Sequence, residues 1–246
     1  MSFHLLAYNG TAATSLTDIA PITDNVINIV NSHFFPQNNM SLIWATGMSA
    51  NINRVRISQP SLRLITLPWI RPLIGTAVAG NQDTVADYTR SPLRIRGLEE
   101  LAIEALDDSG GDFFGLLALQ DSYEAPPAGG DIYTLRGTST TAAVADTWTT
   151  VTVTWDDQLP DGVYAVVGMV LVGAAAPAGR LIFEGQTWRP GCLGTADIEN
   201  QGDDLFRWGR LGVFGRFRQT AMPQVQVLSN TTTNSWQIYI DIVKVG

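Results

Sequence analysis

The chain repeats itself. The stretch Trp69-Ile70-Arg71-Pro72-Leu73-Ile74-Gly75-Thr76-Ala77 returns in outline as Trp188-Arg189-Pro190-Gly191-Cys192-Leu193-Gly194-Thr195-Ala196. The two Gly-Thr-Ala triplets begin 119 positions apart in a chain of 246. Other pairs keep nearly the same offset: Gly47-Met48 with Gly168-Met169, Arg63-Leu64-Ile65 with Arg180-Leu181-Ile182, and Asn81-Gln82 with Asn200-Gln201. Towards the ends, Leu5–Tyr8 before Gly10-Thr11 matches Ile132–Leu135 before Gly137-Thr138, and Gly115–Leu119 matches Trp236–Ile240. The order is collinear throughout, and the drifts in offset have the size of loop insertions. A repeat of about 120 residues, too long for a solenoid unit, constrains the chain to two similar domains.

The reset point has the composition of a linker. Ala125-Pro126-Pro127-Ala128-Gly129-Gly130 has two prolines that stiffen it and two glycines that let it turn. The expected domains are therefore 1–124 and 131–246, joined by 125–130. Hydrophobic residues make up 45% of the chain, enough for a core in each half. No apolar run reaches the roughly 18 residues of a membrane-spanning helix. The start, Met1-Ser2-Phe3-His4-Leu5, lacks the charged and apolar regions of a signal peptide.

Both halves read as short strands. Val151, Val153 and Trp155 alternate with threonines, Val225 and Val227 with Gln224 and Gln226, and Ile238, Ile240 and Ile242 with Tyr239, Asp241 and Val243. Val163–Val172 is continuously apolar, as in a strand covered on both faces. Gly97–Leu106 has the composition of a helix, but its repeat partner Met222–Leu228 is plainly strand-like. Two similar halves share a fold, so a strand is expected there too. Strands in the second half are expected near 131–136, 147–155, 162–173, 179–184, 187–192, 206–217, 222–229 and 236–245. Eight antiparallel strands in about 120 residues make a jelly-roll sandwich, two four-stranded sheets face to face. The fold class is therefore all-β: two tandem eight-stranded jelly rolls from an internal duplication. An immunoglobulin-like sandwich is the alternative.

Catalytic patterns are missing. The two histidines, His4 and His33, stand alone, without a second ligand at metal-binding spacing. Asp107-Asp108-Ser109-Gly110-Gly111-Asp112 and Asp156–Asp161 do not follow a calcium loop and read as turns, the first as a hairpin. No Gly-x-Ser-x-Gly elbow and no phosphate-cradling glycine loop occur. The single Cys192 leaves no internal disulfide and makes a zinc site improbable on count alone. No enzyme activity, catalytic residue, metal or cofactor is expected.

Charge points to protein partners. The net charge is −8, and no basic tail offers to neutralise phosphates, so sequence-independent nucleic-acid binding is not expected as the main task, and no sequence-specific nucleic-acid partner is expected either. Of fifteen bases fourteen are arginine, the cation favoured at protein interfaces. Arg90, Arg94 and Arg96 correspond roughly to Arg207, Arg210, Arg216 and Arg218. These seven form either a basic interface or inner surface, or ion pairs with the acidic majority. Trp69, Arg71, Pro72 and Gly75, with Trp188, Arg189, Pro190 and Gly194, are the structural landmarks of the repeat. The two tryptophans are expected in the cores, beside a turn proline.

A tandem pair of jelly rolls on a proline-containing linker, without catalytic residues, resembles the double jelly-roll major capsid proteins of tailless icosahedral DNA viruses. That lineage takes in adenovirus hexon, tectiviruses, corticoviruses and compact bacteriophage members. The resemblance lies in architecture and spans the whole chain, whose small size is closest to the compact phage members. It implies a homotrimeric, pseudo-hexagonal capsomer contacting neighbouring capsomers, minor capsid or vertex proteins, and in some members an internal membrane. It implies a virion protein assembled in the host cytoplasm. The alternative is a tandem β-sandwich carbohydrate-binding module or fibre protein, with Tyr88, Tyr123 and Trp208 as sugar-stacking candidates.

Overall fold

The computed structural model describes residues 3–24, 33–34, 40–49, 52–60, 69–70, 72–74, 85–173, 178–195 and 204–246. The chain divides into two compact units, Leu5–Asp121 and a second made of Ser122–Gly246 together with Phe3 and His4. Both are all-β.

The first unit carries β1 (Phe3–Ala12, which begins in the other unit), β2 (Thr17–Ile19), β3 (His33–Phe34), β4 (Met40–Ser49), β5 (Ile52–Ser58) and β6 (Trp69–Ile70). It continues with β7 (Pro72–Ile74), β8 (Ala86–Asp87), β9 (Leu93–Ile95), β10 (Glu100–Asp107) and β11 (Gly111–Gln120). One sheet runs β1-β11-β4, with β7, β8 and β9 all pairing along β4; the other runs β2-β10-β5-β6. First and last strands are thus neighbours, as are second and penultimate ones. That nesting is the double Greek key of a jelly roll.

The core lies between the sheets, built from Tyr8, Trp44, Ile57, Leu101, Ile103 and Phe113, all fully buried. Gly47 and Gly115 are paired across β4 and β11. A Cβ on either would stand within about 3 Å of the Phe113 ring, so their bareness makes room for it. The Tyr8 hydroxyl donates to the Leu101 carbonyl at 2.8 Å, linking β1 of one sheet to β10 of the other.

The second unit carries β12 (Ile132–Ser139), β13 (Thr149–Val151), β14 (Thr154–Trp155), β15 (Val163–Val172), β16 (Ala178–Ile182), β17 (Gly191–Thr195), β18 (Gly215–Arg218), β19 (Gln224–Leu228) and β20 (Trp236–Lys244). Its order repeats the first: β12-β20-β15 with β18 against β15, and β13-β19-β16-β17. One strand crosses between the sheets. Gly191, Cys192 and Leu193 pair antiparallel with β16, and Gly194 and Thr195 then pair parallel with β15. In the first unit Trp69 and Ile70 pair antiparallel with β5, and Pro72–Ile74 then pair parallel with β4. The repeated Trp-Arg-Pro-Gly-Thr-Ala segment thus includes the sheet-crossing strand in each unit.

The continuous apolar run Val163–Val172 has a structural cause. Its outer face is also covered, because Ala165 and Val167 pack with Val213 and Val243 in a second small apolar layer. The segments that cover it are the chain before β12 and the turns between β17 and β18. Gly130 lies against Val243, and the Val213 amide donates to the Glu124 carbonyl at 2.9 Å.

Four expectations are corrected. Segment 206–217 is not one strand: a 3-10 turn (Asp204–Phe206) and further turns precede the short β18, the chain here being occupied in covering the sheet. The strand expected at 187–192 starts only at Gly191. Segment 147–155 splits into β13, which pairs with β19, and β14, which pairs with β12 at the other end of the strand order. Asp107–Asp112 is not a hairpin turn, because β10 and β11 lie in different sheets and the turn carries the chain between them.

Candidate functional site

The landmark residues are divided between the two units. Trp69 and Pro72 lie on β6 and β7, while Arg71 and Gly75 fall outside the described residues. Trp188 is half-buried and not in the core, because its segment has left the sheet and rejoins it only at Gly191. Its indole meets the His4 ring edge-on with centroids 5.4 Å apart, and His4 Nδ1 accepts the Arg189 amide at 3.0 Å. His4 is completely buried in this role. Trp188 also lines an open cleft of about 470 Å³ with Gln186, Thr187, Phe214 and the ion pair Arg216–Glu124.

The seven singled-out arginines divide into two kinds. Arg90, Arg94 and Arg96 are exposed, as are Arg210, Arg216 and Arg218. Arg216 nevertheless pairs with Glu124. Arg207 is half-buried and clasps Asp241: Nε donates to Oδ2 at 3.0 Å and Nη2 to Oδ1 at 2.8 Å. The Thr134 hydroxyl adds a bond to Asp241 Oδ1 at 2.7 Å. A two-pronged guanidinium–carboxylate contact, with the carboxylate sealed from water, is the strong form of this interaction. Gly168 makes room for it, since a Cβ there would stand 2.5 Å from Asp241 Oδ2 and 2.8 Å from Arg207 Cα.

A buried polar cluster escaped sequence reasoning. Arg180 is fully buried on β16, with its guanidinium 4.0 Å over the Trp148 ring and Nε donating to Gln226 Oε1 at 2.8 Å. Arg189 Nη1 shares that oxygen at 3.1 Å, and Gln226 donates on to Thr150 at 3.2 Å. In the alternating run Gln224–Leu228, Gln226 reads as a solvent-facing residue, yet it is buried. The one available signal was Arg180 itself, a cation inside an apolar stretch that recurs in both halves.

The carboxylate clusters act locally. Asp107 Oδ1 accepts the Ser109 amide at 2.9 Å and its hydroxyl at 3.1 Å, closing the turn. Asp156 pairs with Arg136 at 3.3 Å. Among the described residues no three His, Cys, Asp or Glu side chains gather as metal ligands. Of the sugar-stacking candidates Tyr88 is half-buried, while Tyr123 and Trp208 are exposed. The guanidinium of Arg207 lies over the Trp208 ring at 4.6 Å.

No family model matches the sequence, and no curated protein does. Among solved structures the chain is similar to the major capsid protein P2 from bacteriophage PM2. Identity is 13%, the alignment covers all of this chain and 97% of the other, and the TM-score is 0.24. So low a TM-score carries no weight for the fold, which rests on the strand orders given above.

Proposed function

We propose that the chain is a structural subunit of a viral shell, a major capsid protein that works by self-association. The single observation that carries this reading is the tandem architecture: two jelly rolls with the same nested strand order and the same sheet-crossing strand. The halves, 1–124 and 131–246 on the linker 125–130, are read as products of an internal duplication. Three copies would then present six similar sandwiches, a near-hexagonal tile made from a three-fold assembly. Closed cyclic symmetry is the usual outcome for a homo-oligomer of this kind. The tile would meet its neighbours, minor capsid or vertex proteins and possible inner membrane in a virion put together in the host cytoplasm. Catalysis forms no part of this reading.

The arginine-rich composition and the acidic surplus support contacts between copies over contacts with nucleic acid. Light scattering on the purified protein tests the reading. A trimer of the 26.6 kDa chain, about 80 kDa, is expected, alone or with larger assemblies. A monomer at every accessible concentration would favour the tandem sugar-binding module.

A further inference from the structure

Between Phe3 and Leu5, both fully buried, the chain buries His4 completely as well. Imidazole is the side chain whose ordinary titration falls nearest to neutral pH. A buried histidine whose bonds require its neutral form is therefore a proton-sensitive part of a fold, and the bonds of His4 are of that kind.

Phe3 and His4 belong to the second unit, although the rest of β1 lies in the first. The Phe3 ring meets Phe214 edge-on with centroids 4.8 Å apart. His4 meets Trp188 in the same manner at 5.4 Å, and its Nδ1 accepts the Arg189 amide at 3.0 Å. Trp188 and Phe214 both line the cleft of about 470 Å³. The start of β1 thus holds on to two of the cleft's lining residues.

The Arg189 bond fixes the charge state of His4. A neutral imidazole has one nitrogen that carries a proton and one that can accept another. The Arg189 amide occupies the accepting nitrogen, so protonation in place would break that bond and set two N–H donors face to face. The charges around the segment make a third cation costly. Arg189 Nη1 and Arg180 Nε both donate to Gln226 Oε1, which gathers two cations beside Trp188 and Arg189. Glu124 is the carboxylate among the described lining residues of the cleft, and Arg216 on β18 engages it. On β1 itself the other titratable side chain is Tyr8, whose hydroxyl is bonded to Leu101.

We propose that His4 is a proton-operated catch, which holds the start of β1 against the second unit's cleft at neutral pH and releases it in acid. Once withdrawn into water, His4 takes its proton freely, and Trp188 and Phe214 lose the rings packed against them. Below the ordinary imidazole range, about pH 6.5, the open form binds one more proton than the closed form. Linkage then favours the closed form above that pH and weakens it as pH falls further. Each pH unit below the range shifts the opening equilibrium by about tenfold. The catch works within one copy, so it stands or falls separately from the self-association proposed above.

Hydrogen exchange of the peptide covering 186–190, read by mass spectrometry on the full-length chain, tests the catch. The wild type is compared with His4→Asn, whose Oδ1 accepts the Arg189 amide in place of Nδ1 and does not titrate. After correction for the intrinsic pH dependence of exchange, opening in the wild type should rise about tenfold between about pH 6.5 and about pH 5.5. His4→Asn should show no such rise. An equal rise in both proteins overturns the proposal, and so does wild-type protection that is unchanged in acid. Where His4→Asn is already unprotected at neutral pH, the wild type's own ring decides. A His4 C2 proton that titrates by NMR while the Arg189 amide stays protected overturns the catch. A ring that stays neutral until that protection is lost supports it.

Discussion

Trp236 and Trp188 show how differently one residue type is used at the scale of single side chains. Trp236 is buried to 1% and its indole N–H donates to the Thr141 carbonyl at 2.8 Å. Trp236→Ala should therefore cost about 3–5 kcal/mol in denaturant unfolding. Trp188, half-buried at a cleft rim, should cost only about 1–2 kcal/mol on the same substitution. Breaking the Arg207–Asp241 clasp is a charge effect. Arg207→Met leaves a buried carboxylate with only the hydroxyl of Thr134 and the Trp208 amide, and should cost about 3 kcal/mol. Cys192 is governed by burial, which pushes its thiol up to about 12. Burial also raises the Tyr8 phenol well above its ordinary value. Both groups hold their protons longer folded than unfolded, so above about pH 9 the unfolded chain binds fewer protons and stability falls as pH rises. Thiol labelling at pH 8 should be negligible in native protein and complete after unfolding; rapid labelling of the native state would contradict the burial.

At the scale of elements, β10 is the clearest contest between local preference and tertiary structure. Glu100–Asp107 contains Glu, Leu and Ala in helix-like proportion, yet it is the strand that pairs with both β2 and β5. Leu101, Ile103 and Ala105 fill the core, while Glu104 stands opposite Arg56 on β5 and forms an ion pair with it. A peptide covering 97–108 should consequently become helical in trifluoroethanol by circular dichroism, although the protein holds it extended; a peptide that stays extended would remove the conflict. The repeat made this strand legible where propensity did not. The strands β19 and β20 were legible from their own period of two. What stayed hidden depended on coverage from outside the sheet. Nothing in Arg207–Phe214 announces that it will lie over β15 and β20, and that coverage is why 206–217 is mostly turns. The burial of Gln226 was hidden likewise, since its partners Arg180 and Thr150 come from β16 and β13, 46 and 76 positions away. The arginine segments were visible as a pair, but whether each member reaches a carboxylate depends on the fold.

At the scale of the whole molecule, two jelly rolls of like strand order underlie the proposed self-association. Electrostatics gives a further expectation there. With a net charge of −8, copies repel one another over long range, and salt shortens that repulsion to about 8 Å at physiological ionic strength. Assembly held mainly by apolar and aromatic contacts should therefore strengthen from low to moderate salt in sedimentation. An assembly held mainly by exposed ion pairs would weaken instead. The central claim is that the two units serve as paired sandwiches of a near-hexagonal capsomer. Negative-stain electron microscopy of the purified protein tests it most directly. Three-fold particles with a six-lobed outline, or hexagonal plates and closed shells built from them, are the predicted result. A uniform population of single two-lobed particles would contradict it.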